Sequence, residues 1–155
     1  MHGRIIEIGT EVIPEDERLR ADDIDMSILD RFGFDFVTDR VNRTSEICSF
    51  LEHISRCFEC DGESFKAKDP KAAMAEQWFE SIFIKFKEQV EQMSLSEFCD
   101  DMKSYILKRA IDGWEDYYYI VYDECYYTLP DFIREFFKKP NDSTYYIGGV
   151  VDYHS

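Results

Sequence analysis

Residues 70–93 read PKAAMAEQWFESIFIKFKEQVEQM. At 100° per residue, Ala75, Trp78, Phe79, Ile82, Phe83, Phe86, Val90 and Met93 fall in one stripe, while Glu76, Glu80, Lys87 and Glu91 lie outside it. Asp69-Pro70 supplies an acid followed by proline in the first turn, a favourable helix start. The pattern predicts a long amphipathic helix. Its apolar stripe could form a cofactor box or a partner groove, but burial in the core is the expectation, with Trp78, Phe79, Ile82, Phe83 and Phe86 largely inaccessible.

Working outward, Ser94-Leu95-Ser96-Glu97 is a capping box that opens another helix only one residue later. Leu95, Phe98, Met102, Tyr105 and Ile106 are expected to face inward, and Gly113 to close the helix. The two helices therefore make a sharp bend or hairpin. Tyr117 to Tyr122 (YYYIVY) is apolar on both alternating faces and predicts an interior strand. Pro130 begins a short helix carrying Phe132, Ile133, Phe136 and Phe137, stopped by Pro140. Tyr145 to Tyr153 reads as the last strand, with Gly148-Gly149 as either a bulge or a tight hairpin turn.

On the N-terminal side, Arg4 to Ile8 predicts the first strand. Asp22 or Asp23 caps a short helix with Ile24, Ile28 and Leu29, ended by Gly33, and a second strand runs from Phe34 to about Arg40. Thr44 or Ser45 opens a helix carrying Ile47, Phe50, Leu51, Ile54 and Phe58, and Glu59 to Lys68 reads as a loop around Asp61-Gly62. The fold expected is α+β: a single domain over residues 1–155, with a small sheet of about four strands and a central helical block packed on it.

The 155 residues are 45% hydrophobic and 16% aromatic, ample apolar surface to offset chain entropy. Thirty-three acids against eighteen bases give a net charge of −15. This argues against phosphate-backbone binding, so no direct nucleic-acid contact is expected, and equally against docking on anionic membranes. No apolar run approaches the roughly 18 residues of a membrane span. With no secretory signal at the N-terminus and an odd count of five cysteines, free thiols and a cytoplasmic location are expected.

Catalytic motifs are not assembled. Two of the three histidines, His2 and His154, sit within two residues of a terminus, and G-x-S-x-G, phosphate-loop and dinucleotide fingerprints are missing. The chain is therefore expected not to be an enzyme and to need no cofactor. The alternative is a small metal-binding domain or metal-dependent enzyme built on His53, Cys57 and Cys60. The first two are four apart on a predicted helix, the third one turn on, and imidazole and thiolate are zinc's preferred ligands.

Charge and aromatics are distributed unevenly. Residues 70–113 hold 8 acids and 6 bases, whereas residues 1–43 and 114–155 are each net −5. Nine of the ten tyrosines lie in residues 117–153. Tyrosine gives a large contact area at low entropy cost, and carboxylates beside it complement a basic partner. Glu115, Asp116, Tyr118, Tyr122, Asp123, Glu124, Tyr126 and Tyr127 are the expected partner-binding residues. The profile is shared by acidic anti-restriction and anti-CRISPR inhibitors of phages and mobile elements and by toxin-immunity proteins. The function expected is inhibition of a basic protein, a nuclease or other nucleic-acid enzyme, whose Lys/Arg-lined site evolved for phosphates.

Overall fold

The computed structural model describes residues 2–114, 117–139 and 143–155. Its element order is β1 (His2–Gly9), α1 (Met26–Phe32), β2 (Phe36–Thr38), α2 (Arg43–Ile54), β3 (Phe58–Asp61), β4 (Ser64–Ala67), α3 (Lys71–Gln92), α4 (Leu95–Phe98), α5 (Asp101–Ile111), β5 (Tyr118–Tyr122), β6 (Cys125–Thr128), α6 (Leu129–Lys138) and β7 (Tyr145–His154). Short 3-10 turns at Glu15–Glu17 and Ala21–Asp23 shape the loop after β1.

The chain is mixed α and β, but the sheet has seven strands rather than about four, in the order β3-β4-β7-β1-β5-β6 with β2 also paired to β7. The added strands come from two tight hairpins. The stretch expected as a loop, Glu59 to Lys68, is the β3–β4 pair around Gly62-Glu63, and Asp123-Glu124 turns β5 into β6. β1 and β5 run parallel, and β1 and β7 antiparallel. The helices do not form one central block. α2 and α6 pack on one sheet face, α1 and the preceding loop cover the other, and α3 to α5 make a hairpin whose first half rests on α6 and the edge of the first core.

Strand alternation explains the two cores. Ile6, Ile8, Tyr118 and Ile120 meet Ile47, Phe50, Leu51 and Ile54 of α2 and Leu129, Phe132, Ile133 and Phe136 of α6. Ile5, Val121, Val151 and Tyr153 meet Ile24, Leu29 and Phe34 on the opposite face. Gly148-Gly149 resolves as a bulge: Ile6 pairs with Val150 and Ile8 with Ile147, so β7 carries one extra residue. The extra residue inverts the strand's parity. Tyr145, Ile147 and Val150 face the first core, whereas Val151 and Tyr153 face the second.

Local caps match the chemistry of their residues. The Asp25 carboxylate accepts from the backbone N–H groups of Ser27 and Ile28 and so starts α1 at Met26, later than a cap at Asp22 or Asp23 predicts. Asn42 caps α2, Ser94 and Glu97 form the expected reciprocal box at α4, and Thr128 caps α6. α4 is only one turn long because Asp100 starts a new cap, accepting from Met102 and Lys103. Between α2 and the sheet, the Arg4 guanidinium lies between Asp152 and Glu46, the latter at 2.9 Å.

The long helix forms where expected, but its stripe is not interior. None of the 22 residues of α3 is fully buried, and Phe83 is 61% exposed. Met74, Trp78 and Phe79 pack against the edge of the main core, whereas Phe83, Ile84 and Val90 further along the helix are exposed. Leu95, Phe98, Met102 and Tyr105, expected inward, are exposed. The periodicity correctly identified an amphipathic helix. A periodic stripe specifies a sticky face but not the element that covers it.

Candidate partner-binding surface

β6 ends the sheet and, among the described residues, pairs only with β5, so the β5–β6 hairpin is an open edge. Its two turn residues, Asp123 and Glu124, have φ of 50° and 60°, the left-handed pair that a two-residue hairpin demands. Asn-Gly or Asp-Gly normally occupies such a turn at lower cost. Here two exposed carboxylates stand at the tip instead.

The tyrosines divide by strand parity. Tyr119 and Tyr126 project to the α1 face, while Tyr118, Tyr122 and Tyr127 project to the α2/α6 face. Tyr118 is only 5% exposed and packs on Phe50 and His53, so it belongs to the core and offers a partner no surface. Tyr122, Tyr126 and Tyr127 are half-buried, with bodies anchored and edges accessible. Tyr122 stacks edge-on against Tyr145, whose phenol is pushed up to about 12 by burial and then by Tyr122. Lys139 lies 4.7 Å from the centre of the Tyr122 ring. Glu115 and Asp116 lie outside the described residues.

Carboxylates flank the hairpin on both faces. Burial raises the Tyr126 phenol, and the nearby charges of Asp25, Asp23 and Glu7 raise it further. Burial also raises Tyr127, followed by Cys125, Glu135 and Asp123. The acidic N-terminal segment and the acidic C-terminal hairpin, about two-thirds of the chain apart in sequence, converge, with Ala21, Ile24 and Tyr126 packed in one core. Asp23 and Asp25 were visible in sequence as part of an acidic run. Their placement on the Tyr126 side follows from the packing of Ala21 and Ile24 on the sheet face shared by Val121 and Tyr126, which no local pattern encodes. Asp25 is held below the usual carboxylate range by the Ser27 hydroxyl and the N–H groups of Ile28 and Ser27, so its negative charge is fixed in place.

The metal alternative loses its geometric premise. α2 ends at Ile54, so His53 and Cys57 do not share a helix face. His53 packs between Trp78 and Tyr118. Cys57 is buried and its Sγ donates to the Met74 carbonyl at 3.3 Å, while Cys60, on β3, turns its Sγ toward the Leu51 carbonyl at 3.6 Å. Burial pushes both thiols up, away from the thiolate that a metal needs. Among the described residues no group of three or more His, Cys, Asp or Glu side chains is placed to hold a metal ion. No helix among them is long and apolar enough to cross a membrane.

The chain matches no protein-family model, no curated protein and no solved structure.

Proposed function

We propose that this protein is a non-enzymatic binding protein that inhibits a basic partner, of the class of nucleases and other nucleic-acid enzymes, in the cytoplasm. The observation that carries the reading is that the segment bearing Asp23 and Asp25 packs, through Ala21 and Ile24, in the same core as Tyr126, beside an open, acid-tipped sheet edge. Half-buried tyrosines supply anchoring area, and the carboxylates steer a Lys/Arg-lined site onto them. A site evolved to take phosphates meets a surface that offers carboxylates at fixed positions. The overall charge of −15 extends the attraction and accelerates encounter.

The test is affinity capture from the native host at low and high salt, followed by assay of the captured enzyme. A basic nucleic-acid enzyme should be retained at low salt, released at high salt and inhibited on titration. The variant D123K/E124K should fail to retain it. Retention of the same proteins by that variant, or of acidic proteins only, contradicts the reading.

A further inference from the structure

The α3–α5 hairpin exposes more apolar surface than isolated hydrophobic residues account for. Phe83, Val90, Leu95, Phe98, Met102 and Tyr105 are between 46% and 80% exposed. With side chains of these sizes, they present on the order of 700 Å² of surface, close to the ~800 Å² per partner of a standard interface. Two helices alone have no interior that could take both apolar faces, and pairing two hairpins into a four-helix arrangement supplies one.

The charges on α3 indicate what covers it. Glu80 and Lys87 lie three residues before and four residues after Phe83, and at 100° per residue all three fall within one 60° sector. The Lys87 ammonium lies 5.6 Å from the centre of the Phe83 ring. On the same side, Phe79 and Phe83 line a groove of about 580 Å³ with Ala73, Glu76, Gln77 and Glu80. A two-fold axis through Phe83 sets two such helices antiparallel. It then brings Glu80 of each copy within one residue of the level of Lys87 of the other, close enough to pair, the self-complementarity an isologous contact requires. Residues 70–113 carry 8 acids and 6 bases in a chain of net −15. The hairpin is thus the part of the molecule that two copies can bring together without pressing acid on acid.

We infer that the occupant of this face is a second copy of the chain. The protein is a two-fold dimer in which the α3 helices cross at Phe83, with Phe83 and Val90 as anchors and reciprocal Glu80–Lys87 pairs. The acidic β5–β6 edges remain free for a partner.

Sedimentation equilibrium over a range of protein concentrations tests this. The parent chain should sediment at twice its monomer mass at micromolar concentration. Phe83→Glu should weaken dimerisation by at least ~100-fold while leaving the circular-dichroism melt of the monomer in place, because Phe83 faces solvent there. Glu80→Lys alone should weaken it by about tenfold or more, and the swap E80K/K87E should restore it. A parent chain that stays monomeric across the range overturns the proposal and leaves the face to a different protein. A dimer indifferent to Phe83→Glu, or a swap that fails to rescue Glu80→Lys, overturns the assigned face.

Discussion

Glu7 Oε2 accepts a hydrogen bond from the Gly149 backbone N–H at 2.7 Å, across the bulge in β7. The same oxygen accepts from Leu19 N–H at 2.8 Å. One carboxylate thus ties the parity-inverting bulge to the acidic loop that reaches Asp23 and Asp25. Gly149 is required by space: a Cβ there would overlap the Leu19 carbonyl oxygen. Glu7→Ala leaves two part-buried donors without their acceptor and should cost roughly 1–3 kcal/mol. Gly149→Ala should destabilise by a similar amount through the clash. Urea unfolding of both variants checks this, and a midpoint unchanged from the parent in either contradicts it.

The exposed helix and the buried helix should respond differently to truncation. Phe50 of α2 is fully buried between Phe65 and Tyr118, so Phe50→Ala should cost about 3–5 kcal/mol. Phe83→Ala should cost less than ~1 kcal/mol when unfolding is followed at concentrations low enough to keep the chain monomeric. Equal losses would place the α3 stripe in the core after all.

Glu63 answers to pH. Its pair of hydrogen bonds with Arg43, at 2.6 and 2.8 Å, holds its carboxyl below the usual range, with the Arg43 and Arg18 charges adding to the effect. A folded-state pKa depressed below the unfolded value gives stability that is present above the unfolded value, near ~4.3, and lost as pH falls through the folded one. Acidification also relieves the self-repulsion of a −15 chain, so the comparison with Glu63→Gln isolates this contribution. The parent should lose more stability than the variant between about pH 5 and 3. Parallel pH profiles would show that the Arg43 pair contributes nothing.

Thiol accessibility should follow the packing. Cys48, Cys60, Cys99 and Cys125 are exposed and should react with a thiol reagent under native conditions, Cys60 more slowly than the other three because partial burial raises its thiol. Cys57 is buried, and burial holds its thiol protonated, so it should react only as the chain unfolds. Counting fast- and slow-reacting thiols by mass spectrometry decides this, and a fast-reacting Cys57 contradicts the core around Phe58.

Elements with strong periodicity or caps were legible in sequence. Ile6 and Ile8 marked β1, YYYIVY marked β5, and Asp69-Pro70 with the 94–97 capping box bounded α3 and located the start of α4, whereas the single helix expected from there to Gly113 is broken at Asp100 into α4 and α5. β3 and β4 were not legible as strands, because Glu59, Cys60, Asp61 and Lys66 face solvent and leave only Phe58 and Phe65 as buried signals. β6 was hidden for the related reason that an edge strand of four residues, three of them half-buried, has no alternation to read. Of the candidate surface, the Tyr-and-acid composition of residues 117–127 was visible. The withdrawal of Tyr118 into the core and the approach of Asp25 to Tyr126 depend on strand parity and on the packing of Ala21 and Ile24 on the sheet, which are tertiary facts.

The account rests on an acidic, tyrosine-anchored edge meeting a basic partner, and the association rate with the captured partner tests it most directly. The rate for the parent chain should fall steeply as salt shortens the screening length below ~10 Å. At low salt, D123K/E124K should lower the rate by about tenfold, whereas E52K/E59K, on α2 and the opposite sheet edge, should change it by less than about twofold. A salt-independent rate, or equal losses from the two double variants, would contradict the assignment of the acidic β5–β6 edge as the binding face.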